Sequence, residues 1–93
     1  MNTEKQLQQY IKRQAVKHGV MFDKVESRSR RGFPDLFLAK NGRVIFAELK
    51  TPVGTGRVSA VQEVCIRDMK NHGLTVFVID SKDLADDLIA EIC

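Results

Sequence analysis

Residues 32–50 read GFPDLFLAKNGRVIFAELK, two apolar runs on either side of Asn41-Gly42. That dipeptide predicts a tight β-hairpin, because a type I′ turn needs positive φ at both central residues and Asn-Gly adopts it with little strain. If the loop is only those two residues, Lys40 pairs with Arg43. Counting back along both strands then sets Asp35 opposite Glu48, with Lys50 two residues further along the same face. One face carries Asp35, Phe37, Ala39, Val44, Phe46, Glu48 and Lys50, and the other Leu36, Leu38, Ile45, Ala47 and Leu49. Both faces are mostly apolar, so cover on both sides is expected. Opposed side chains on one face have Cβ atoms roughly 4.5–5.5 Å apart, a spacing at which two like charges destabilise the pair. The acid pair therefore calls for something positive between its members.

Outward from the hairpin, the chain alternates helical and extended patterns. Thr3 and Gln6 form a capping box, and Leu7, Tyr10, Ile11 and Ala15 recur at helical spacing, predicting a first helix over 4–18 that stops at His18-Gly19. The segment from Val20 to Ser27 has strand composition, and Ser27-Arg28-Ser29-Arg30-Arg31-Gly32 reads as a basic loop. After the hairpin, residues 51–57 form a loop by their proline and glycines. Ser59 and Gln62 make a second capping box, opening a helix with Val61, Val64, Cys65 and Met69 inward that ends near His72-Gly73. Residues 74–79 suit a short buried strand. Asp80 or Ser81 then caps a final amphipathic helix marked by Leu84, Leu88 and Ile92. The predicted order is αβββαβα, an α/β fold with a mixed central sheet flanked by helices, without internal repeat, linker or low-complexity tract.

Composition bounds the possibilities. Ninety-three residues, 43% hydrophobic and 29% charged, describe one compact domain over 1–93, small enough to bury only about 60–70% of its unfolded surface. No apolar run reaches about 18 residues and Met1-Asn2-Thr3-Glu4-Lys5 lacks the order of a signal peptide, so no membrane association and cytoplasmic residence are expected. Cys65 falls in an apolar helical pattern and Cys93 is the last residue; they offer neither a disulfide framework nor a zinc spacing, and both are expected as free thiols. The net charge of +3 hides an asymmetry: residues 1–58 carry 12 Lys/Arg against 5 Asp/Glu, and residues 59–93 carry 3 against 7. The basic half also holds the acid pair, as a polyanionic substrate would require, although a balance this mild also describes ordinary solvated faces.

Pro34-Asp35 alone, or Glu48-Leu49-Lys50 alone, is commonplace. Their combination is not, because Glu48 and Lys50 end a strand otherwise made of Val44, Ile45, Phe46, Ala47 and Leu49, where an unpaired charge is costly to bury. Asp35 and Glu48 supply hard oxygen ligands suited to Mg²⁺ or Mn²⁺, which polarises a phosphate and acidifies water. Lys50 beside them would hold the attacking water or offset charge on phosphoryl oxygens. The chemistry that needs this set is phosphodiester hydrolysis. A non-catalytic DNA-binding module is the alternative, but carboxylates facing phosphate would repel it unless a metal intervened. A structural interaction protein would leave the charge split without a purpose.

Pro34-Asp35 followed by Glu48-x-Lys50 in an αβββαβ order resembles the PD-(D/E)xK nuclease superfamily. The wider string resembles its VRR-NUC (virus-type replication-repair nuclease) branch: Glu4 on the first helix, Gly32-Phe33-Pro34-Asp35-Leu36, Glu48-Leu49-Lys50, and Ser59-x-x-Gln62 after a glycine-containing loop. The likeness runs from residue 4 to about residue 79. It implies a restriction-endonuclease-like fold and divalent-metal-dependent DNA cleavage, with Asp35, Glu48 and the backbone carbonyl of Leu49 on the metal and supporting roles for Glu4 and Gln62. It further implies a homodimer that cuts branched DNA such as four-way (Holliday) junctions, and is compatible with a bacteriophage or prophage source.

Other readings of the supporting residues stay open. Glu4 is favoured in the first turn of any helix by the macrodipole, and Gln62 serves equally as a capping-box residue. Arg28, Arg30 and Arg31 are candidate phosphate contacts, since guanidinium forks fit phosphate oxygens and their loop leads to Asp35; a solvated loop is the competing account. Gly54-Thr55-Gly56 lacks a Walker lysine pattern. His18 and His72 each precede a glycine at a helix end, where an imidazole can meet terminal carbonyls, so both are read as structural. Ile66, off the inward stripe of its helix, and Ile89, at the border of the last one, are expected to add apolar surface to a twofold contact.

Overall fold

The computed structural model describes residues 3–51 and 58–93, and in them seven elements follow in the expected order. They are α1 (Glu4–Lys17), β1 (Met21–Lys24), β2 (Leu36–Lys40), β3 (Arg43–Leu49), α2 (Ala60–Asn71), β4 (Thr75–Ile79) and α3 (Lys82–Ile92). The strands form one mixed sheet in the order β1-β2-β3-β4, with β1–β2 and β2–β3 antiparallel and β3–β4 parallel across the α2 crossover. Of the loop expected over 51–57, only Thr51 is among the described residues, so Gly54-Thr55-Gly56 lies outside them.

The hairpin closes as its turn residues dictate. Asn41 and Gly42 have φ of 50° and 81°, Lys40 faces Arg43, and the ladder runs back to Leu36 opposite Ala47. One step further out, Asp35 and Glu48 stand across from each other. Each helix begins at a hydroxyl cap that accepts an otherwise unpaired N–H: Thr3 Oγ1 from Gln6 at 3.0 Å, Ser59 Oγ from Gln62 at 3.2 Å, and Ser81 Oγ from Leu84 at 3.2 Å. Ser81, not Asp80, is thus the last cap. β1 stops at Lys24, short of Ser27, although the Val25 N–H still reaches the Asp35 carbonyl at 2.8 Å.

α1 and α3 cover one face of the sheet. Leu7, Ile11, Leu88 and Ile92 pack there with Leu36, Leu38, Ile45, Ala47 and Leu49, and each wholly buried leucine contributes about 1.5–3 kcal/mol. α2 packs on the other face, where Cys65, Ile66 and Met69 meet Phe46 and Val76. Phe46 also takes the edges of Phe33 and Phe37, with centroids 5.5 and 5.7 Å away. Cover on this side is incomplete: Phe37 and Ala39 are half-buried and Met21 is 60% exposed.

Two expectations are corrected. α2 is turned by about one position from the predicted stripe, so Val61 and Val64 are 45% and 52% exposed while Ile66 is buried. The inward positions are Gln62, Cys65, Ile66 and Met69, an i, i+3, i+4, i+7 stripe whose first member is polar. Ile89 is likewise buried, in the α1–α3 core. Neither isoleucine offers free surface to a second copy.

Candidate active site

The site forms at the open end of the β2–β3 hairpin. Buried Pro34 leads into Asp35, whose Oδ2 accepts the Leu49 N–H at 2.9 Å and whose carbonyl accepts the Val25 N–H. The carboxylate is thereby tied to the strand that carries its partner. Glu48 is 2% exposed. Its Oε2 accepts Gln62 Nε2 at 2.8 Å and lies 3.2 Å from Lys50 Nζ. Its Oε1 is buried and receives no hydrogen bond from the described residues, and the acid facing it, Asp35, offers a donor only when protonated. Burial first, and the Asp35 charge second, push the Glu48 carboxyl up to about 7 from its ordinary 4.5, against the pull of Lys50. A buried acceptor without a donor beside a second carboxylate is the electrostatic signature of a site that favours a cation.

Lys50 is fixed at both ends. Its backbone N–H bonds to the Ile79 carbonyl at 2.9 Å, and its ammonium meets Gln62 Oε1 at 2.9 Å as well as Glu48. Gln62 is a capping-box residue and also touches both candidate site side chains. Its Oε1 also accepts the Ser59 N–H at 3.0 Å, completing the capping box, while its amide spans Glu48 and Lys50. Glu4 lines the same cleft of about 540 Å³ as Asp35, Glu48 and Leu49. The Leu49 side chain is in the core, so what it presents to that cleft is main chain. Sequence reading missed Lys5, Gln8, Lys24 and Glu26 as lining residues of the cleft. Gln8 was findable, being one turn along α1 from Glu4; Lys24 and Glu26 become neighbours only through the β1–β2 pairing.

On the far side of Lys50 a second hollow of about 530 Å³ is lined by Arg31, Gly32, Lys50, Ser59, Val61 and Gln62. The three loop arginines are not equivalent there. Arg30 pairs with Asp68 of α2 at 2.7 Å, its backbone N–H bonding to Ser27 Oγ, which makes it an anchor of the loop; Arg31 borders the hollow and Arg28 is exposed. His18 and His72 are the C-caps of α1 and α2, and His72 Nδ1 lies 2.9 Å from the Asp68 carbonyl oxygen. Cys65 is a buried free thiol and Cys93 an exposed one.

The donor set fits a small hard cation. No three Asp, Glu, His or Cys side chains among the described residues converge as a cage, and Mg²⁺ does not ask for one: it takes one or two carboxylates and fills its octahedron with waters and substrate phosphates. Asp35, Glu48 and the Leu49 carbonyl match that demand. Among the described residues no helix is long and apolar enough to cross a membrane.

Comparison with known proteins agrees with this fold. A solved structure described as a "VRR_NUC domain" superposes with a TM-score of 0.87 at 26% identity, over 100% of both chains. No curated protein matches. The family profile of the VRR-NUC domain matches residues 2–83, and with most of its length so matched, its sheet order and its three helices alike, the chain belongs to the VRR-NUC family of nuclease domains.

Proposed function

We propose that this nuclease domain is a divalent-metal-dependent endodeoxyribonuclease that hydrolyses phosphodiesters of branched DNA, four-way junctions above all. The observation that carries the reading is the buried, donorless Glu48 Oε1 opposite Asp35, with Lys50 held alongside. Asp35, Glu48 and the Leu49 carbonyl would hold Mg²⁺ or Mn²⁺, which supplies Lewis acidity to the phosphate and eases deprotonation of water. An ammonium has three donors. Two of those of Lys50 go to Gln62 Oε1 and Glu48 Oε2, leaving one to orient water or meet charge developing on a phosphoryl oxygen. Glu4 lines the same cleft, where its carboxylate would add to the negative charge of Asp35 and Glu48 against the lining Lys5 and Lys24. Arg28 and Arg31 are the loop arginines assigned to the DNA backbone.

The junction preference and a twofold homodimer go together, since resolving a junction needs two strands cut and one small domain offers one site. Incubation with labelled junction, flap, single-stranded and duplex DNA, in Mg²⁺, Mn²⁺ or chelator, tests the reading. Paired symmetrical nicks in the junction, absent in chelator, are expected, with weaker cutting of linear duplex. Metal-independent cutting, or binding without cutting under every condition, would defeat the assignment. Sedimentation at micromolar concentration showing only monomer would remove the dimer and leave the nuclease chemistry standing.

A further inference from the structure

Gly32 lies three residues before Asp35 and has a φ of 78°. A Cβ built there would sit 2.7 Å from the Val61 carbonyl oxygen, 2.9 Å from the Val61 carbonyl carbon and 3.0 Å from the Gln62 Cα. These are backbone atoms of the first turn of α2, which cannot swing aside as a flexible side chain can. Gly19, Gly42 and Gly73 share the positive φ, yet a Cβ on any of them meets nothing within 4 Å. The left-handed conformation therefore does not set Gly32 apart; the close approach does.

What it approaches is the turn that carries Gln62. That turn is stiffened by the capping box, so it moves as a unit, and the Gln62 side chain reaches from it to Glu48 at 2.8 Å and Lys50 at 2.9 Å. Raising the 2.7 Å contact to an ordinary 3.4 Å requires a displacement of 0.7 Å. A shift of that size along the Gln62 bonds would take them from 2.8 and 2.9 Å to about 3.5 Å, past the usual range. The Arg30–Asp68 ion pair ties the same loop to α2 further along, opposing a separation of the two.

We infer that Gly32 is a positioning residue for the site: its bare Cα seats the first turn of α2 where Gln62 can hold the Lys50 ammonium and the Glu48 carboxylate at once. The cleavage arm of the test rests on the nuclease reading; the spectroscopic arm does not. In ¹⁵N-labelled, metal-free protein, the side-chain amide signal of Gln62, identified by its loss in Gln62→Ala, should move towards the position of free glutamine amides in Gly32→Ala. It should stay in place in Gly73→Ala, which carries the same kind of φ strain without the clash. DNA cutting should fall at least tenfold in Gly32→Ala, and the Gly32→Ala/Gln62→Ala double variant should be no slower than Gln62→Ala alone. An unmoved Gln62 signal in Gly32→Ala, or losses that multiply, would overturn the inference. Should Gly32→Ala fail to fold, a synthetic chain with D-alanine at position 32, which suits positive φ and puts its methyl in place of the other Cα hydrogen, is expected to fold with the native Gln62 signal; loss of that signal in the folded D-alanine protein overturns it too. Were the wild type to cut no DNA, the amide signals alone would still decide.

Discussion

The β2–β3 hairpin carries a like-charge pair at each end, and the two are handled differently. At the turn, Lys40 faces Arg43. Arg43 is exposed, and Lys40 Nζ reaches back to the His18 carbonyl at 2.7 Å. At the open end Asp35 faces Glu48, and there Glu48 is sealed from water with one oxygen unserved. At a given separation two charges interact about four times as strongly at an effective dielectric of about 20 as in bulk water. A like-charge pair on a sheet therefore says little by itself. Burial without a donor is what makes such a pair costly until a proton or a cation relieves it.

The strongest way to break this contrast is cleavage. Asp35→Ala, Glu48→Ala and Lys50→Ala should each lower the cutting rate by about 10²- to 10³-fold, with double variants little worse than singles because the residues act as a unit. Lys40→Ala and Arg43→Ala should cut at nearly the wild-type rate. A turn variant as impaired as an acid-pair variant would show that the two ends are not distinct.

Stability in chelator sharpens it. The Glu48 carboxyl is raised in the folded protein to about 7 from 4.5, so the fold holds its proton more tightly than the unfolded chain does. Its stabilising contribution is fully present below about pH 4.5 and lost as the pH rises through about 7. Tm measured without metal should therefore fall across that window, and Glu48→Gln should flatten the fall, whereas Lys40→Gln should leave the slope as it is. Asp35→Asn keeps an acceptor for the Leu49 N–H while removing a charge, so it should raise the Tm of the metal-free protein at pH 8. A clear drop there would mark Asp35 as a purely structural ion.

The smallest expected effect concerns the loop arginines. In a Glu48→Gln background, Arg28→Ala with Arg31→Ala should reduce the slope of log K against log salt for DNA binding by roughly 1 or more. Arg30→Ala should change that slope less, and act instead on stability through the lost Asp68 contact. The reverse ranking would return Arg30 to the DNA.

Asn41-Gly42 made the hairpin register legible, and with it the meeting of Asp35 and Glu48, because a turn of fixed length leaves no freedom in the pairing. The rotation of α2 was not legible. Val61, Val64, Cys65, Ile66 and Met69 spread round more than one side of the helix, and the correct stripe begins with Gln62, a polar residue that periodicity assigns to solvent. The misreading arose because a residue of the site occupies a position facing the sheet. The tie between Arg30 and Asp68 joins segments far apart in the chain, and no local pattern announces it. Ile89 was misjudged for a related reason: the width of the apolar face of α3 is set by α1 packing beside it, a contact that neither helix encodes alone.

The parallel pairing of β3 with β4 has a consequence in folding kinetics. It joins Ile45 to Thr75, thirty residues apart in sequence, whereas the hairpin needs only Asn41 and Gly42 to close. Hairpins form in about 1–10 μs, and distant strands pair later because more chain must be ordered first. If the hairpin closes first, the two carboxylates meet before Ile79 holds the Lys50 backbone and before α2 brings Gln62 to its ammonium. Mild acid or added divalent cation should then speed refolding of this domain, and an unchanged refolding rate would place the meeting of the two acids after the transition state.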